Sequence, residues 1–150
     1  MKKPNLQEKK NLNKKPKNEA PRNEWLKYYL YRRTFMDGTP WNQAALVRSS
    51  GIEQKKLSKI LSGKLNNLEV DELVCLSLSL RLTEEESLDL MARFERTLSP
   101  ENKERKEILL YWIRIYSSGS MQEDPNECML MPVIEDLEKR NLQLLPCVFM

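Results

Sequence analysis

Residues 53–62 form the part of the sequence whose side chains are best suited to bind an anionic ligand. They include Gln54, Lys55, Lys56 and Lys59. The aliphatic residues among them recur at helical spacing and are Leu57, Ile60 and Leu61. A helix of this pattern buries its apolar face and presents amide and ammonium donors elsewhere, where they can hydrogen-bond to acceptors of a polyanion. An ordinary solvated helix face is the alternative for the three lysines.

Two elements must hold this helix in place, a preceding helix and a tight turn. Thr39 and Pro40 are a typical N-cap and first residue of a short helix that extends to Ser49. Gly51 interrupts the helical pattern, and Gly63 follows the second helix as a C-terminal glycine often does. Two short helices joined by a turn that contains glycine are typical of a helix-turn-helix.

Apolar residues at helical spacing predict further helices on both sides of this pair, and no stretch alternates as a strand would. The further helices are predicted to begin near Asn23, Val70, Glu84, Glu101 and Pro132. The helix from Val70 to Leu80 is too apolar for a surface helix, which predicts a buried central position. Thr83 and Glu86 have the spacing of a capping box. The sequence therefore predicts an all-α protein.

The spacing of residues 43–64 resembles that of lambda-repressor-like helix-turn-helix regulators. The family pattern is approximately Q-x-x-L-A-x-x-x-G-[VI]-x-x-x-x-[IL]-x-x-[IL]-x-x-G-[KR]. The residues that match it are Gln43, Leu46, Gly51, Ile52, Leu57, Ile60, Gly63 and Lys64. Val47 departs from it, because the family usually has alanine there. The resemblance implies a five-helix lambda-repressor-like DNA-binding domain over residues 23–82, and a looser one implies a helical C-terminal extension over residues 83–150.

The resemblance also implies which residues meet DNA. In that family the start of the second motif helix enters the major groove, and a glutamine that opens the first helix helps to anchor it on the backbone. Gln54, Lys55 and Lys56 would then read base edges, since glutamine can hydrogen-bond to adenine and lysine to guanine. The candidates for phosphate contact are Gln43, Lys59, Lys64 and Asn66. For Gln43, a role as a cap residue alone is the alternative.

Charge is distributed unevenly along the chain. Residues 1–22 carry a net charge of +6 and residues 23–64 one of +5, whereas residues 65–100 carry −5 and residues 101–150 carry −3. A basic front and an acidic rear suit a protein that presents one face to a polyanion, although the asymmetry can also be accidental. We expect residues 1–22 to be a disordered basic arm that either contacts phosphates or is a solvated tail.

Several classes of function are not expected from the composition. The chain has no histidine and only 4 glycines, so we expect no enzymatic activity, no catalytic residues, no metal site and no cofactor. Cys75, Cys128 and Cys147 lack metal-ligand spacing and are interpreted as ordinary thiols in a reducing compartment. No apolar run is long enough for a membrane anchor, which favours a cytoplasmic protein.

Three functions remain open. The first is a sequence-specific transcriptional regulator that binds double-stranded DNA as a homodimer, with the helix from Glu53 to Ser62 in the major groove. The alternative is a protein-protein interaction module on a retained helix-turn-helix fold, with a protein partner held by the basic helix or by the acidic C-terminal helices. In the third, the basic arm binds nucleic acid without sequence preference. The apolar stripe around Ile108, Leu109 and Ile113 either belongs to the core or mediates oligomerisation.

Overall fold

The protein is all-α, as the sequence predicts. A computed structural model describes residues 14–35, 38–119, 130–142 and 144. Within these residues, the only pairing of extended backbone is an isolated antiparallel bridge between Thr34 and Pro40. The helices are α1 (Arg22–Arg32), α2 (Gln43–Ser50), α3 (Gln54–Leu61), α4 (Val70–Ser79), α5 (Glu84–Arg93), α6 (Lys103–Ser117) and α7 (Met131–Lys139). None of the described helices combines the length and the apolar character that a membrane crossing requires.

Helix α2 begins later than the sequence predicts. Pro40 does not open the helix but pairs with Thr34 in the bridge, and the Phe35 N–H donates to the Thr39 carbonyl oxygen at 2.8 Å. Asn42 is the N-cap instead, because its backbone is extended and its Oδ1 accepts from the Ala45 N–H at 2.9 Å. The predicted cap at Thr39 is therefore wrong by three residues.

Helix α4 lies at the centre of the fold, as predicted. Every residue from Glu72 to Leu80 is buried, and α4 packs against α2, α5 and α6. The buried apolar residues form one cluster that extends from Trp25 in α1 to Leu144. Because burial of apolar surface contributes about 25 cal/mol per Å², this shared cluster holds the first and second halves of the chain together.

The second half is helical and joins the same cluster. Ile108, Leu109 and Ile113 are buried in it, which confirms that this part of the stripe belongs to the core. The predicted capping box is present, since the Glu86 N–H donates to Thr83 Oγ1 and the Thr83 N–H donates to Glu86 Oε1. Helix α5 begins at Glu84, as predicted, and ends at Arg93.

The interpretation of all three cysteines as free thiols needs a correction. Cys75 is buried in α4 and is disulfide-bonded. Cys128, Cys147 and residues 1–13 of the basic arm lie outside the described residues. The prediction of a free thiol is therefore wrong for Cys75.

Gly51 is the one position in the turn after α2 where glycine is required by the backbone. Its φ of 74° and ψ of 5° lie in the left-handed region. We expect Gly51→Ala to lower the free energy of unfolding by about 1 kcal/mol, because a Cβ is disfavoured there. Urea unfolding followed by circular dichroism measures the change. Gly51→Asn is the control and should be less destabilising, because asparagine tolerates this region; an alanine variant as stable as the wild type would contradict the expectation.

Candidate nucleic-acid interface

Helices α2 and α3 are locked together across the turn at Gly51. Leu46 of α2, Ile52 of the turn and Leu57 of α3 are all buried. The Gly51 N–H donates to the Val47 carbonyl oxygen at 3.0 Å, so the turn is closed directly behind α2. Helix α3 packs on α1 as well as on α2. These contacts fix the direction of α3, which is only 8 residues long and too short to be stable as an isolated helix.

The side of α3 that faces away from its buried residues is polar. The exposed residues on it are Gln54, Lys55, Ser58, Lys59 and, directly after the helix, Ser62. Within the described part of the chain, neither Lys55 nor Lys59 forms an ion pair. Ser58 was not predicted, although it lies four residues after Gln54 and so shares its face. This surface offers amide, hydroxyl and ammonium groups side by side, which are the groups that hydrogen-bond to base edges and phosphates.

Lys56 lies at the edge of this surface and makes a different contact. Its Nζ is 2.6 Å from Oε2 of Glu72, a side chain that is only 2% exposed. Lys56 was predicted to read base edges together with Gln54 and Lys55. The structure separates the three, because Gln54 and Lys55 are exposed while the Lys56 ammonium is paired with a buried carboxylate.

Gln43 lies where the starts of α2 and α3 meet. Its side chain is half-buried, and its Nε2 donates to the Gln54 carbonyl oxygen at 3.5 Å. The preceding residue, Asn42, is the N-cap of α2. Gln43 therefore bridges the two helix starts, and its amide is close to the first residue of the exposed surface of α3.

The loop after α3 adjoins the start of α1. Lys64 and Asn66 of this loop are both exposed. Arg22 Nη1 donates to the Asn66 carbonyl oxygen at 2.9 Å, and Asn23 Nδ2 donates to the Leu61 carbonyl oxygen at 3.2 Å. The root of the basic arm therefore lies beside the loop that carries Lys64. This proximity is not apparent from the sequence, in which Arg22 and Asn66 are 44 residues apart.

The described part of the basic arm is tethered to α5. Arg93 donates to the Asn18 carbonyl oxygen at 2.8 Å and to Asn18 Oδ1 at 3.0 Å. The Arg93 guanidinium also lies 3.8 Å from the centroid of the buried Trp25 ring, within the range of a cation–π contact. These contacts hold Asn18 of the arm against α5.

Part of the acidic charge on α5 is paired with arginine side chains of the protein. Arg32 and Glu86 are 2.6 Å apart, and Arg114 and Glu84 are 2.9 Å apart. Hydrogen bonds from Arg114 lower the pKa of the Glu84 carboxyl below its usual value. Lys55 and Lys59 on α3 are instead exposed to solvent. Their ammonium groups are therefore available to an external anion, whereas the carboxylates of Glu84 and Glu86 are already paired.

The tryptophans at positions 41 and 112 have structural roles. Trp41 is 6% exposed, and its ring is covered by the Arg33 guanidinium at 4.6 Å. Burial and the nearby Arg81 lower the pKa of Arg33 to about 10, so Arg33 remains cationic at neutral pH. Trp112 is half-buried and donates from Nε1 to Asp136 Oδ2 at 2.8 Å. Trp41 thus stabilises the segment directly before α2, and Trp112 links α6 to α7.

Asn42 orients the start of α2 and with it Gln43. We expect Asn42→Ala to lower the free energy of unfolding by about 1 kcal/mol, because the Ala45 N–H loses its side-chain acceptor. Thermal unfolding followed by circular dichroism measures the loss. Asn42→Asp keeps an oxygen at the cap and should retain most of the stability. Equal losses in the two variants would argue against a capping role.

Comparisons with known proteins identify no relative of this chain. The described residues contain no cluster of acidic, cysteine or histidine side chains that could hold a metal ion. Searches against protein-family models, curated proteins and solved structures found no match.

Proposed function

We propose that this protein is a sequence-specific DNA-binding transcriptional regulator that acts as a homodimer. The observation that carries the proposal is the exposed face of α3, where Gln54, Lys55, Ser58 and Lys59 lie on a short helix held by buried residues. A helix that is buried on one face and exposed on the other can lie in the major groove, which is about 12 Å wide. Helices α1 to α4 would then belong to the lambda-repressor-like domain that the resemblance implies for residues 23–82, and α5, α6 and α7 would belong to its C-terminal extension.

Basic groups around α3 support the same proposal. Lys64 and Asn66 are exposed next to Arg22, which hydrogen-bonds to the loop after α3. In a complex these residues would lie at the rim of the groove, where contacts to phosphates position the protein but do not read the sequence. The arm, with its net charge of +6, would add sequence-independent affinity.

The experiment that tests the proposal is selection of bound duplexes from a random pool, followed by titration of the selected duplex. We expect a pseudo-palindromic site whose half-sites are about 34 Å apart, because a two-fold dimer presents two copies of α3. Lys59→Ala should weaken binding and reduce the slope of log affinity against log salt by about 0.9 for each phosphate that is no longer neutralised.

Lys103→Ala provides a matched control for this titration, because Lys103 is an exposed lysine at the start of α6. It should leave both the affinity and the slope unchanged. Failure of the wild-type protein to prefer any duplex at moderate salt would refute the proposal. Equal effects of the two alanine variants would show that only net charge matters.

A cleft between α6 and α7 favours a second candidate function, the binding of a protein. The cleft has a volume of about 480 Å³ and is lined by Glu104, Glu107, Ile108, Tyr111, Trp112, Asp136 and Arg140. Tyr111 is 52% exposed, so its amphipathic ring is available to a partner, as tyrosines at interfaces often are. Arg140 pairs with Glu104 and Asp136 within the cleft, so Glu107 is the carboxylate that a cationic side chain of the partner would meet. Tyr111→Ala would abolish such binding and leave DNA binding intact.

A further inference from the structure

Glu72 is a buried carboxylate whose two oxygens are both engaged. Oε2 lies 2.6 Å from Lys56 Nζ on α3, and Oε1 accepts from the Glu69 N–H at 2.9 Å at the start of α4. The side chain is only 2% exposed. A buried carboxylate needs this degree of pairing, because removal of its partner leaves an uncompensated charge away from water.

Lys56 differs from the other lysines of α3 in both direction and partner. Lys55 and Lys59 are exposed, whereas the Lys56 side chain is 35% exposed and reaches back to α4. Successive residues of a helix are rotated by about 100°, so Lys56 lies to one side of the face that Lys55 and Lys59 share. Helix α3 packs mainly on α1 and α2, and the Lys56–Glu72 pair adds a link to the central helix.

We propose that Glu72 is a positioning residue for the DNA-reading helix, and this inference rests on the proposed function. Through Lys56, Glu72 fixes α3 to α4 and keeps the Lys56 ammonium away from DNA. The surface of α3 that meets DNA then consists of Gln54, Lys55, Ser58 and Lys59. Lys56 serves as an anchor and releases no counterions when DNA binds.

The physical basis is a competition between two anions for one ammonium group. If Lys56 turned to a phosphate, the buried Glu72 carboxylate would lose its cationic partner. A phosphate at the surface offers a weaker, salt-screened attraction in exchange. Glu72 therefore retains Lys56 in the DNA complex. The consequence is measurable, because each lysine that neutralises a phosphate adds about 0.9 to the magnitude of the salt slope.

The test compares salt slopes on the duplex that the wild-type protein selects. Lys56→Met combined with Glu72→Gln removes both charges, while the glutamine can still accept from the Glu69 N–H, so the double variant should fold. We expect its salt slope to equal that of the wild type. The matched variant Lys59→Met should reduce the slope by about 0.9 per protomer.

Glu72→Gln alone provides the opposite change. This variant keeps an acceptor for the Glu69 N–H but releases the Lys56 ammonium. The salt slope should therefore become steeper by about 0.9 per protomer. The preference for the selected duplex over a scrambled one should also fall, because α3 loses its link to α4. Urea unfolding of each variant verifies that it is folded.

Two outcomes would overturn the inference separately from the proposed function. If the double variant loses as much slope as Lys59→Met, Lys56 contacts phosphate in the wild-type protein and Glu72 does not withhold it. If Glu72→Gln changes neither slope nor preference, Glu72 does not position α3 for DNA. If the wild-type protein prefers no duplex at all, the proposed function and this inference fall together.

Discussion

Burial of α4 is the interaction on which the rest of the structure depends. Leu73, Val74, Leu76 and Leu78 are fully buried, and the helix packs on α2 from the first half of the chain and on α5 and α6 from the second. Short helices gain most of their stability from tertiary packing. Without this central helix, α2 would lose its main support. Helix α3 packs on α2 and would then lose its orientation as well. The exposed surface of α3 is therefore a product of the whole core.

The sequence predicted the features that depend on apolar periodicity and local capping. The positions of α3 and α4, the burial of Leu57 and Ile60, and the capping box at Thr83 all agree with the structure. These features depend on residues within one or two turns of each other, whose spacing is visible in the sequence. The exposure of Gln54, Lys55 and Lys59 was predictable for the same reason, because they lie on the face of the helix opposite Leu57, Ile60 and Leu61.

Features that depend on contacts between distant segments were not predictable. Lys56 has the same residue type as Lys55 and Lys59, and only the position of Glu72 distinguishes it. Similarly, Arg22 meets Asn66 across the fold. The start of α2 was misplaced because the bridge between Thr34 and Pro40 competes with the helix for the backbone there. In each case tertiary geometry selects among arrangements that local sequence leaves equally favourable.

The outward face of α3 is separated from the residues that hold the helix in place. Gln54, Lys55 and Ser58 are exposed, and substitutions at such positions usually change stability by no more than about 0.5 kcal/mol. This face can therefore diverge or be redesigned with little penalty to folding, so the same scaffold could acquire new ligands through a few codons. Lys56 is the exception, because a substitution there removes the partner of the buried Glu72 carboxylate and so lowers stability. Evolution of this surface would thus be free at three positions and constrained at the one between them.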